Sequence, residues 1–242
     1  MKKLLRLLAL SCAVGLAVAA AGVATAADPR YTVVEIDPRT DRLELFLRDR
    51  TGAPFHRFDR LEAWLAGQGR QLVFAVNAGM YHADFSPVGL LVQEGRELAP
   101  LNLDAGAGNF FLQPNGVFAV TEAGARVVES SEYPALAQRE RVRLATQSGP
   151  LLLRRGVVHP RFIPGSDSRK IRNGVGIAGD KALFVISEEP VSFHEFALHF
   201  RDVLHCRDAL YLDGTVSALH SRALGRSDFR RELGPILGVA LP

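Results

Sequence analysis

Cysteine is nearly absent from this sequence, which has only two among its 242 residues, Cys12 and Cys206. Cys12 lies in an N-terminal apolar run that we expect to be removed, so that Cys206 would remain alone. A lone cysteine cannot close an intramolecular disulfide, which excludes the class of small secreted domains stapled by several disulfides. We expect Cys206 to be a small buried hydrophobic residue rather than a nucleophile.

The sequence also lacks a surplus of charge of one sign once its N-terminal segment is set aside. Residues 1–26 read as a signal peptide, with a basic start, an uncharged run from Leu7 to Val23 and a small-residue cleavage site at residues 24–26. A transmembrane anchor is the alternative interpretation of the same run. The segment holds three of the 29 basic residues and none of the 26 acidic ones, so residues 27–242 are close to neutral. We therefore predict a periplasmic or secreted domain over residues 27–242, with no membrane span after cleavage and no nucleic-acid partner.

Several common catalytic motifs are missing or lie in the wrong context. Neither a G-x-S-x-G nucleophile elbow nor a phosphate-binding P-loop occurs. The run Gly174-Val-Gly176-Ile-Ala-Gly179 fits a dinucleotide fingerprint, but a strand pattern follows it where a helix is required. His194 and His199 are one residue too far apart to share a zinc ion on a helix, so we expect them at a solvated side and a helix edge.

What the sequence does contain is a series of short strand patterns and two amphipathic helices. Apolar residues make up 48% and charged residues 23%, enough to bury a core in one domain. The predicted strands are residues 31–36, 42–47, 71–76, 88–93, 109–112, 116–120, 126–129, 142–146, 151–154, 174–178, 181–187, 209–212 and 235–241. Helices are expected near residues 58–65 and over 193–204, the second beginning with a capping box of Ser192 and Glu195. These elements predict one α+β domain with a large mixed, mostly antiparallel sheet and a few packed helices.

Polar residues flanked by glycine follow several of these apolar strands at the point where each strand ends. Buried strands carry such side chains to a common edge, and glycine lets a substrate approach the backbone closely. The same residue types also form ordinary turns, so each motif alone has a purely structural explanation. Together the motifs favour a site: Asn77-Ala-Gly79, Asn109, Asn115-Gly116, residues 146–150, residues 168–174 and Asp213-Gly214-Thr215-Val-Ser217.

Two of these motifs carry opposite charges that suit catalysis. Asp213 directly follows an apolar strand, so partial desolvation would make its carboxylate useful as a base or a nucleophile. Arg169, Lys170 and Arg172 form a basic cluster, and guanidinium groups match the geometry of phosphate. A solvated loop is the alternative interpretation of this cluster.

Five motifs resemble those of the phosphodiester glycosidase family. They are Asn77-Ala-Gly79-Met-Tyr81, Asn115-Gly116-Val-Phe118, Gln147-Ser148-Gly149-Pro150-Leu151-Leu152, Arg172-Asn-Gly-Val-Gly176-Ile177 and Leu212-Asp213-Gly214. They occur in the family's order, and the resemblance runs over nearly all of residues 31–241. One departure is Thr215-Val216, which stands where the family often has two further glycines. The identity of the substrate therefore does not carry over.

The resemblance implies hydrolysis of a sugar from a phosphodiester at the anomeric carbon, in an envelope glycan or glycoconjugate. It implies that Asp213 faces the anomeric carbon as nucleophile or as base for water. Arg172 would hold the phosphate, and Asn77 would complete the catalytic set. The implied substrate-binding residues are polar or glycine: Arg169, Asn115, Gln147, Ser148, Gly149, Asn173, Gly214 and Ser217.

No cofactor is predicted, and no cluster has the ligand count of a metal site, although Asp213 with asparagine side chains would also suit a divalent cation. A second carboxylate, if one is needed, would come from Glu188, Asp84 or Asp167. The alternative function is a non-catalytic envelope protein that binds an anionic polysaccharide or its precursor through the arginines, without need of Asp213. A further alternative is attack at phosphorus instead of carbon.

Overall fold

The computed structural model of the protein describes residues 28–242, and the predicted signal peptide lies outside this range. The helices are α1 (Phe58–Ala66), α2 (Tyr133–Arg139) and α3 (Phe193–Leu198), with a 3-10 turn at Ser130–Glu132 and a π-helical turn at His199–Val203. The strands are β1 (Tyr31–Ile36), β2 (Leu43–Phe46), β3 (Gln71–Asn77), β4 (Leu91–Gln93), β5 (Arg96–Ala99), β6 (Gly116–Thr121), β7 (Gly124–Glu129), β8 (Val142–Ser148), β9 (Leu151–Arg154), β10 (Val157–Val158), β11 (Asn173–Ala178), β12 (Lys181–Ser187), β13 (Asp208–Asp213), β14 (Leu219–Ser221), β15 (Arg226–Ser227) and β16 (Ile236–Leu241). Within residues 28–242, no helix combines the length and apolar character needed to cross a membrane.

The strands of the described range form three sheets. The six-stranded sheet has the order β1-β12-β11-β13-β9-β10, and the two five-stranded sheets have the orders β15-β14-β3-β16-β2 and β5-β4-β8-β6-β7. The strand pairs are antiparallel throughout these sheets. The α+β class is confirmed, and the strands are divided among three sheets instead of one large sheet.

The predicted strand at residues 109–112 is wrong. The backbone N–H of Leu112 donates to the carbonyl of Asn109, so the segment closes on itself as a turn instead of pairing with a neighbour. Gly108, with a φ of 92°, and Pro114 border the segment, and both residue types interrupt strands. Only Phe110 is buried there, which explains how an apolar pattern could suggest a strand.

The core lies where the three sheets meet. Phe74 on β3, Phe118 on β6 and Phe184 on β12 come from different sheets, and each is at most 2% exposed. The ring of Phe184 lies 5.1 Å from that of Phe74 and 5.6 Å from that of Phe118. Buried aromatic pairs of this kind add to the hydrophobic contribution of their large apolar surfaces. Phe184 therefore joins all three sheets in one core.

The helix that begins after Ser192 has the predicted capping box. The hydroxyl of Ser192 accepts from the backbone N–H of Glu195 at 3.2 Å, and the Glu195 carboxylate accepts from the N–H of Ser192 at 2.9 Å. The helix widens into the π-helical turn at His199, where Leu204 N–H bonds back to the His199 carbonyl. His199 is 4% exposed and stacks on Tyr31, so the expectation that it lies at a helix edge is wrong.

Candidate active site

Asn77 and Asn173 meet at the ends of two strands from different sheets. Asn77 ends β3 of a five-stranded sheet, and Asn173 begins β11 of the six-stranded sheet. The Asn173 amide donates to Asn77 Oδ1 at 2.9 Å, and the Asn77 amide donates to Asn173 Oδ1 at 3.3 Å. Both side chains are buried, so this reciprocal pair fixes the relative position of the two strand ends.

The same two amides hold the loop that follows β13. Asn173 Oδ1 accepts from the backbone N–H of Asp213 at 3.0 Å, and Asn77 Oδ1 accepts from that of Ala218 at 3.0 Å. The hydroxyl of Ser217 lies within hydrogen-bond distance of Asn173 Oδ1, at 3.3 Å, and of the Asp213 carbonyl, at 2.9 Å. Residues 213–218 are therefore anchored at both ends to one buried amide pair.

Asp213 keeps one carboxylate oxygen uncommitted in the described part of the chain. Its Oδ1 accepts from the backbone N–H groups of Gly214, Thr215 and Val216 at 2.5, 2.6 and 3.2 Å. Its Oδ2 accepts no hydrogen bond from residues 28–242, and the side chain is half-buried. Burial raises the pKa of Asp213 above its ordinary value, and the three N–H donors partly oppose that rise. The sequence prediction of a partly desolvated carboxylate at a strand end agrees with this geometry.

Arg172 is a buried cation without an acidic partner in the described residues. Its Nε donates to the Val191 carbonyl at 2.8 Å and its Nη2 to the Ser168 carbonyl at 2.9 Å. The guanidinium lies 3.7 Å from the ring centre of Phe193, and the residue is only 1% exposed. Desolvation lowers the pKa of Arg172. Three of the five N–H groups of Arg172 face protein atoms in this arrangement. Its role in holding phosphate therefore stays a prediction.

Tyr211 connects Arg172 with the loop of Asp213. The Tyr211 hydroxyl lies 3.5 Å from Arg172 Nη1. On its other side it lies against Gly214, where an added Cβ would come within 2.1 Å of the hydroxyl oxygen. Only glycine at position 214 therefore leaves room for Tyr211. The two oppositely charged residues are linked through this phenol rather than through a direct ion pair.

Ser148 belongs to the same region, whereas Gln147 has a structural role. The Ser148 hydroxyl donates to the carbonyl of Leu212, directly before Asp213, at 3.0 Å. Gln147 Oε1 accepts from the N–H groups of Leu90 and Asn102, and its amide donates to Asn102 O and to the Ser130 hydroxyl. Because these contacts occupy both ends of the carboxamide, Gln147 connects the segment before β4 with the segments that contain Asn102 and Ser130.

Asn115 and Gly149 contact each other beside the turn at residues 107–114. The Asn115 amide donates to the Phe110 carbonyl at 2.9 Å, and the side chain is fully buried. A Cβ at Gly149 would lie 2.6 Å from that same carbonyl and 2.8 Å from the Cβ of Asn115. The glycine thus allows close packing of two backbones. Neither residue is hydrogen-bonded to Asp213, Asn77 or Asn173 in the described structure.

Arg169 lies on the surface and is paired with an acid. Its Nη2 and Nη1 bind the two carboxylate oxygens of Glu195 at 3.0 and 2.8 Å, and its Nε donates to the Pro190 carbonyl. The side chain is 41% exposed. A substrate phosphate would have to compete with Glu195 for this guanidinium, so Arg169 is less available than the sequence indicates.

Two of the three proposed second carboxylates have partners of their own, and the third, Asp167, is exposed and makes no side-chain hydrogen bond within residues 28–242. Glu188 binds Arg226 and Thr32, both at 2.5 Å, and Asp84 accepts from the N–H and hydroxyl of Ser86 within its own turn. Among residues 28–242, no group of three His, Cys, Asp or Glu side chains is arranged to hold a metal ion. The chemistry available at the strand ends is therefore that of one carboxylate, several amides and hydroxyls, and one buried guanidinium.

The chain matches a known protein family over most of its length. Residues 70–239 match the phosphodiester glycosidase family, a range that holds Asn77, Asn173 and Asp213. The chain belongs to the phosphodiester glycosidase family. Membership implies a carbohydrate-type substrate and a glycosidase-type function. The resemblance drawn from the sequence motifs is confirmed.

Relatives of this chain include a protein with clear sequence similarity. The uncharacterized protein YigE of Escherichia coli K12 is 36% identical over 198 residues, which cover 81% of this chain and 76% of YigE. The catalytic domain of zebrafish N-acetylglucosamine-1-phosphodiester alpha-N-acetylglucosaminidase, auto-inhibited by its pro-peptide, matches with a TM-score of 0.59 at 14% identity, over 86% of this chain and 76% of that one. A hypothetical protein from Synechocystis matches with a TM-score of 0.52 at 15% identity, over 88% and 59% of the two chains. At these identities the two solved structures show a shared fold.

The sequence did not point to two residues of this candidate site. Phe193 and Tyr211 enclose the guanidinium of Arg172, and their rings are 4.8 Å apart in an edge-to-face contact. The available signal was the phenol of Tyr211, because a tyrosine inside an otherwise apolar strand needs a polar partner for its hydroxyl. Nothing in the sequence indicated that Phe193 contacts Arg172, since a phenylalanine at this position is also expected in the apolar stripe of α3.

Proposed function

We propose that this chain is an exported hydrolase that cleaves the bond between the anomeric carbon of a sugar and the phosphate of a phosphodiester. The observation that carries the proposal is the uncommitted Oδ2 of Asp213, held at the junction of two sheets by the Asn77–Asn173 pair. The buried guanidinium of Arg172, which has no acidic partner in residues 28–242, contacts the hydroxyl of Tyr211, and that hydroxyl lies against Gly214 beside Asp213. Family membership supports the reaction class, and the substrate is part of the proposal.

Asp213 would act on the anomeric carbon through Oδ2. Its raised pKa suits a carboxylate that must bind a proton or form a bond during the reaction. Cleavage of the bond from the anomeric carbon to oxygen releases a phosphate monoester, which is a stable anion, so less protonation of the leaving group is required than in ordinary glycoside hydrolysis. As nucleophile, Asp213 would form a glycosyl ester that water then hydrolyses. As base, it would take the proton of the attacking water.

Arg172 would stabilise the negative charge of the phosphate. A buried guanidinium without an anionic partner is costly, and a bound phosphate would offset that cost. The two N–H groups not bound to Val191, Ser168 or Tyr211 are the donors available for this purpose. The phenol of Tyr211, which touches both Arg172 and the backbone of Gly214, would keep this charge aligned with Asp213.

The decisive assay measures release of sugar from a panel of synthetic sugar 1-(methyl phosphate) diesters, beginning with the alpha-N-acetylglucosamine compound. The wild type should release free sugar, and in water enriched in ¹⁸O the label should enter the sugar. Asp213→Asn keeps the acceptor for the three N–H groups and should lower kcat by roughly 100-fold or more. Asp180→Asn, at an exposed aspartate in the turn between β11 and β12, is the matched control and should retain full activity.

Three outcomes would contradict the proposal. Label found in phosphate would mean attack at phosphorus. Full activity of Asp213→Asn would remove the assigned carboxylate. Binding of the diesters by wild type and Asp213→Asn alike, without release of sugar from any of them, would identify a binding protein instead. Export is tested separately, by locating the full-length chain and a variant lacking residues 1–26 in cell fractions.

A further inference from the structure

A cavity in the described structure lies away from the Asp213 site and is lined with arginine. It has a volume of about 740 Å³ and lies between the edge strand β2 and the β4–β5 and β8 strands. Its six arginines are Arg42, Arg48, Arg50, Arg70, Arg141 and Arg143. We name it the arginine cleft. A volume of this order accommodates a small ligand, and a cavity this size is where one is commonly bound.

Strand β8 shows how far the arginine cleft is from the candidate active site. Arg143, near the start of β8, lines the cleft, whereas Ser148 at its end bonds to the Leu212 carbonyl beside Asp213. Five residues of extended strand span about 17 Å. A ligand in the cleft would therefore occupy a second site, separate from the one that contains Asp213.

The acids of the arginine cleft pair with only two of its six arginines. Glu44 pairs with Arg70, and Glu122 lies 3.6 Å from Arg141 in a highly exposed pair of the kind that contributes little. Asp49 binds residues of its own turn and approaches Arg60, which is outside the cleft. Glu94 is the remaining acid of the lining.

Four cleft arginines consequently have no carboxylate within ion-pair distance in residues 28–242. Arg48 donates to the Gly52 carbonyl and Arg143 to the Leu43 carbonyl, at 3.0 and 2.5 Å. The side chains of Arg42 and Arg50 make no hydrogen bond within the described residues. Burial lowers the pKa of Arg143, the positive charge of Arg42 lowers it further, and the negative charge of Glu44 partly opposes both. Because residues 27–242 are nearly neutral overall, this concentration of positive charge is a local feature.

We propose that the arginine cleft binds a saccharide carrying two or more phosphate groups. Guanidinium groups bind phosphate through paired N–H donors, and several of them can hold more than one phosphate. Gln93, whose amide makes no hydrogen bond in residues 28–242, and the partly buried Trp64 supply the polar and aromatic surface that sugar hydroxyls and ring faces contact. This proposal does not rest on the proposed hydrolase activity.

Trp64 provides a direct reporter, because it is the single tryptophan of the chain and lines the cleft. The experiment titrates the purified protein with glucose 1,6-bisphosphate while recording tryptophan fluorescence, and repeats the titration by isothermal calorimetry. Inorganic phosphate and glucose are the comparison ligands. Arg42→Ala/Arg50→Ala removes two exposed side chains that make no hydrogen bond or ion pair within residues 28–242, so the fold should be retained. Arg161→Ala, at an exposed arginine outside the cleft, is the matched control.

The wild type and Arg161→Ala should bind the bisphosphate saturably, and the double variant should bind it roughly 10-fold more weakly or worse. Affinity should fall steeply with added salt, since the contacts are ionic. Absence of binding by both methods, or equal affinity of the double variant, would overturn the proposal. Equal affinity for inorganic phosphate would overturn its saccharide part. Sugar release by the Asp213 site should be the same in the double variant and the wild type, which keeps the two proposals separable.

Discussion

Asn77 and Asn173, 96 positions apart in the chain, bind each other through both carboxamides across the boundary between two sheets. Each amide has a further task, because Asn77 Oδ1 accepts from Ala218 and Asn173 Oδ1 accepts from Asp213. The position of the candidate catalytic carboxylate thus depends on two side chains that belong to different sheets. Any movement of one sheet against the other would be transmitted to Asp213.

Asn77→Ala should destabilise the protein strongly. The change leaves the buried amide of Asn173 and the N–H of Ala218 without their acceptor. Each unsatisfied buried donor costs about 1–3 kcal/mol, so the free energy of unfolding should fall by roughly 2–6 kcal/mol. Urea denaturation measures the loss, with Asn109→Ala at an exposed asparagine as control. Equal midpoints for the two variants would show that the pair does not hold the sheets together.

Asp213→Asn should stabilise the fold at neutral pH. The folded-state pKa of Asp213 is raised, so ionisation is less favourable in the folded than in the unfolded chain. The resulting destabilisation is complete above the folded pKa and vanishes below the unfolded value of about 3.9, where both states are protonated. Thermal melting should therefore give a higher Tm for the variant at pH 7 and equal Tm values near pH 3. A lower Tm at pH 7 would contradict the assignment of a desolvated carboxylate.

The pH dependence of kcat/KM should also reflect the ionisation of Asp213. A carboxylate that acts as nucleophile or base must be ionised, so kcat/KM should fall on the acid side around the raised pKa of Asp213. The acid limb should accordingly lie above the ordinary range for an aspartate, in a buffer series at constant ionic strength. An acid limb at or below that range would assign the essential ionisation to another group.

Gly214→Ala should disturb the loop of Asp213 through Tyr211. The new Cβ would lie 2.1 Å from the Tyr211 hydroxyl oxygen, so one of the two must move. We expect lower stability and lower kcat in Gly214→Ala, with partial recovery of both in Gly214→Ala/Tyr211→Phe, because the phenylalanine lacks the obstructing oxygen. Gly214→Ala, Tyr211→Phe and the double variant form a double-mutant cycle with the wild type. Coupling between the two positions should appear as non-additive changes in stability and kcat. Simple additivity of the two single effects would mean that the hydroxyl is not the obstacle.

His199→Phe should remove a pH-dependent part of the stability. His199 is buried against Tyr31, with ring centres 3.8 Å apart, and both ring nitrogens lack partners within residues 28–242. Desolvation lowers the pKa of His199 to about 4, so the folded state favours the neutral ring. Stability should be intact above the unfolded pKa of about 6.5 and should decline by up to about 3 kcal/mol as pH falls towards 4. Unfolding curves at pH 7, 5.5 and 4 should show a smaller decline in His199→Phe, which keeps the stacked ring. An identical decline in both proteins would assign the acid sensitivity elsewhere.

The strands of this fold could be predicted because their apolar runs end abruptly at polar residues. The continuous run before Asn77 is a central strand, and the turn at Gly179, with a φ of 58°, closes the predicted hairpin. The same reasoning brought Asn77, Asn173 and Asp213 to one edge. It could not give the division into three sheets, because local patterns do not state which strand pairs with which.

The roles of individual polar side chains were harder to obtain from the sequence. Gln147 is saturated by Asn102 and Ser130, 45 and 17 positions away, and nothing in the local sequence distinguishes such an amide from one that faces a ligand. Arg172 reads as part of an exposed basic cluster, yet Phe193 and Tyr211 bury it. Burial of a charged side chain depends on distant elements, which a single sequence does not reveal.

Strand β16 lies between β3 and β2, in the interior of its sheet, and Ile236 pairs with Asn77 itself. Ribosomal synthesis runs from the N-terminus. β2 and β3 therefore cannot pair with β16 until residues beyond 235 have been translated. A chain interrupted before that point would leave one edge of β2 and one edge of β3 unpaired, and Asn77 without its strand partner Ile236. Nascent chains therefore cannot assemble this site early, and truncated products should be targets for proteolysis rather than partly active enzymes.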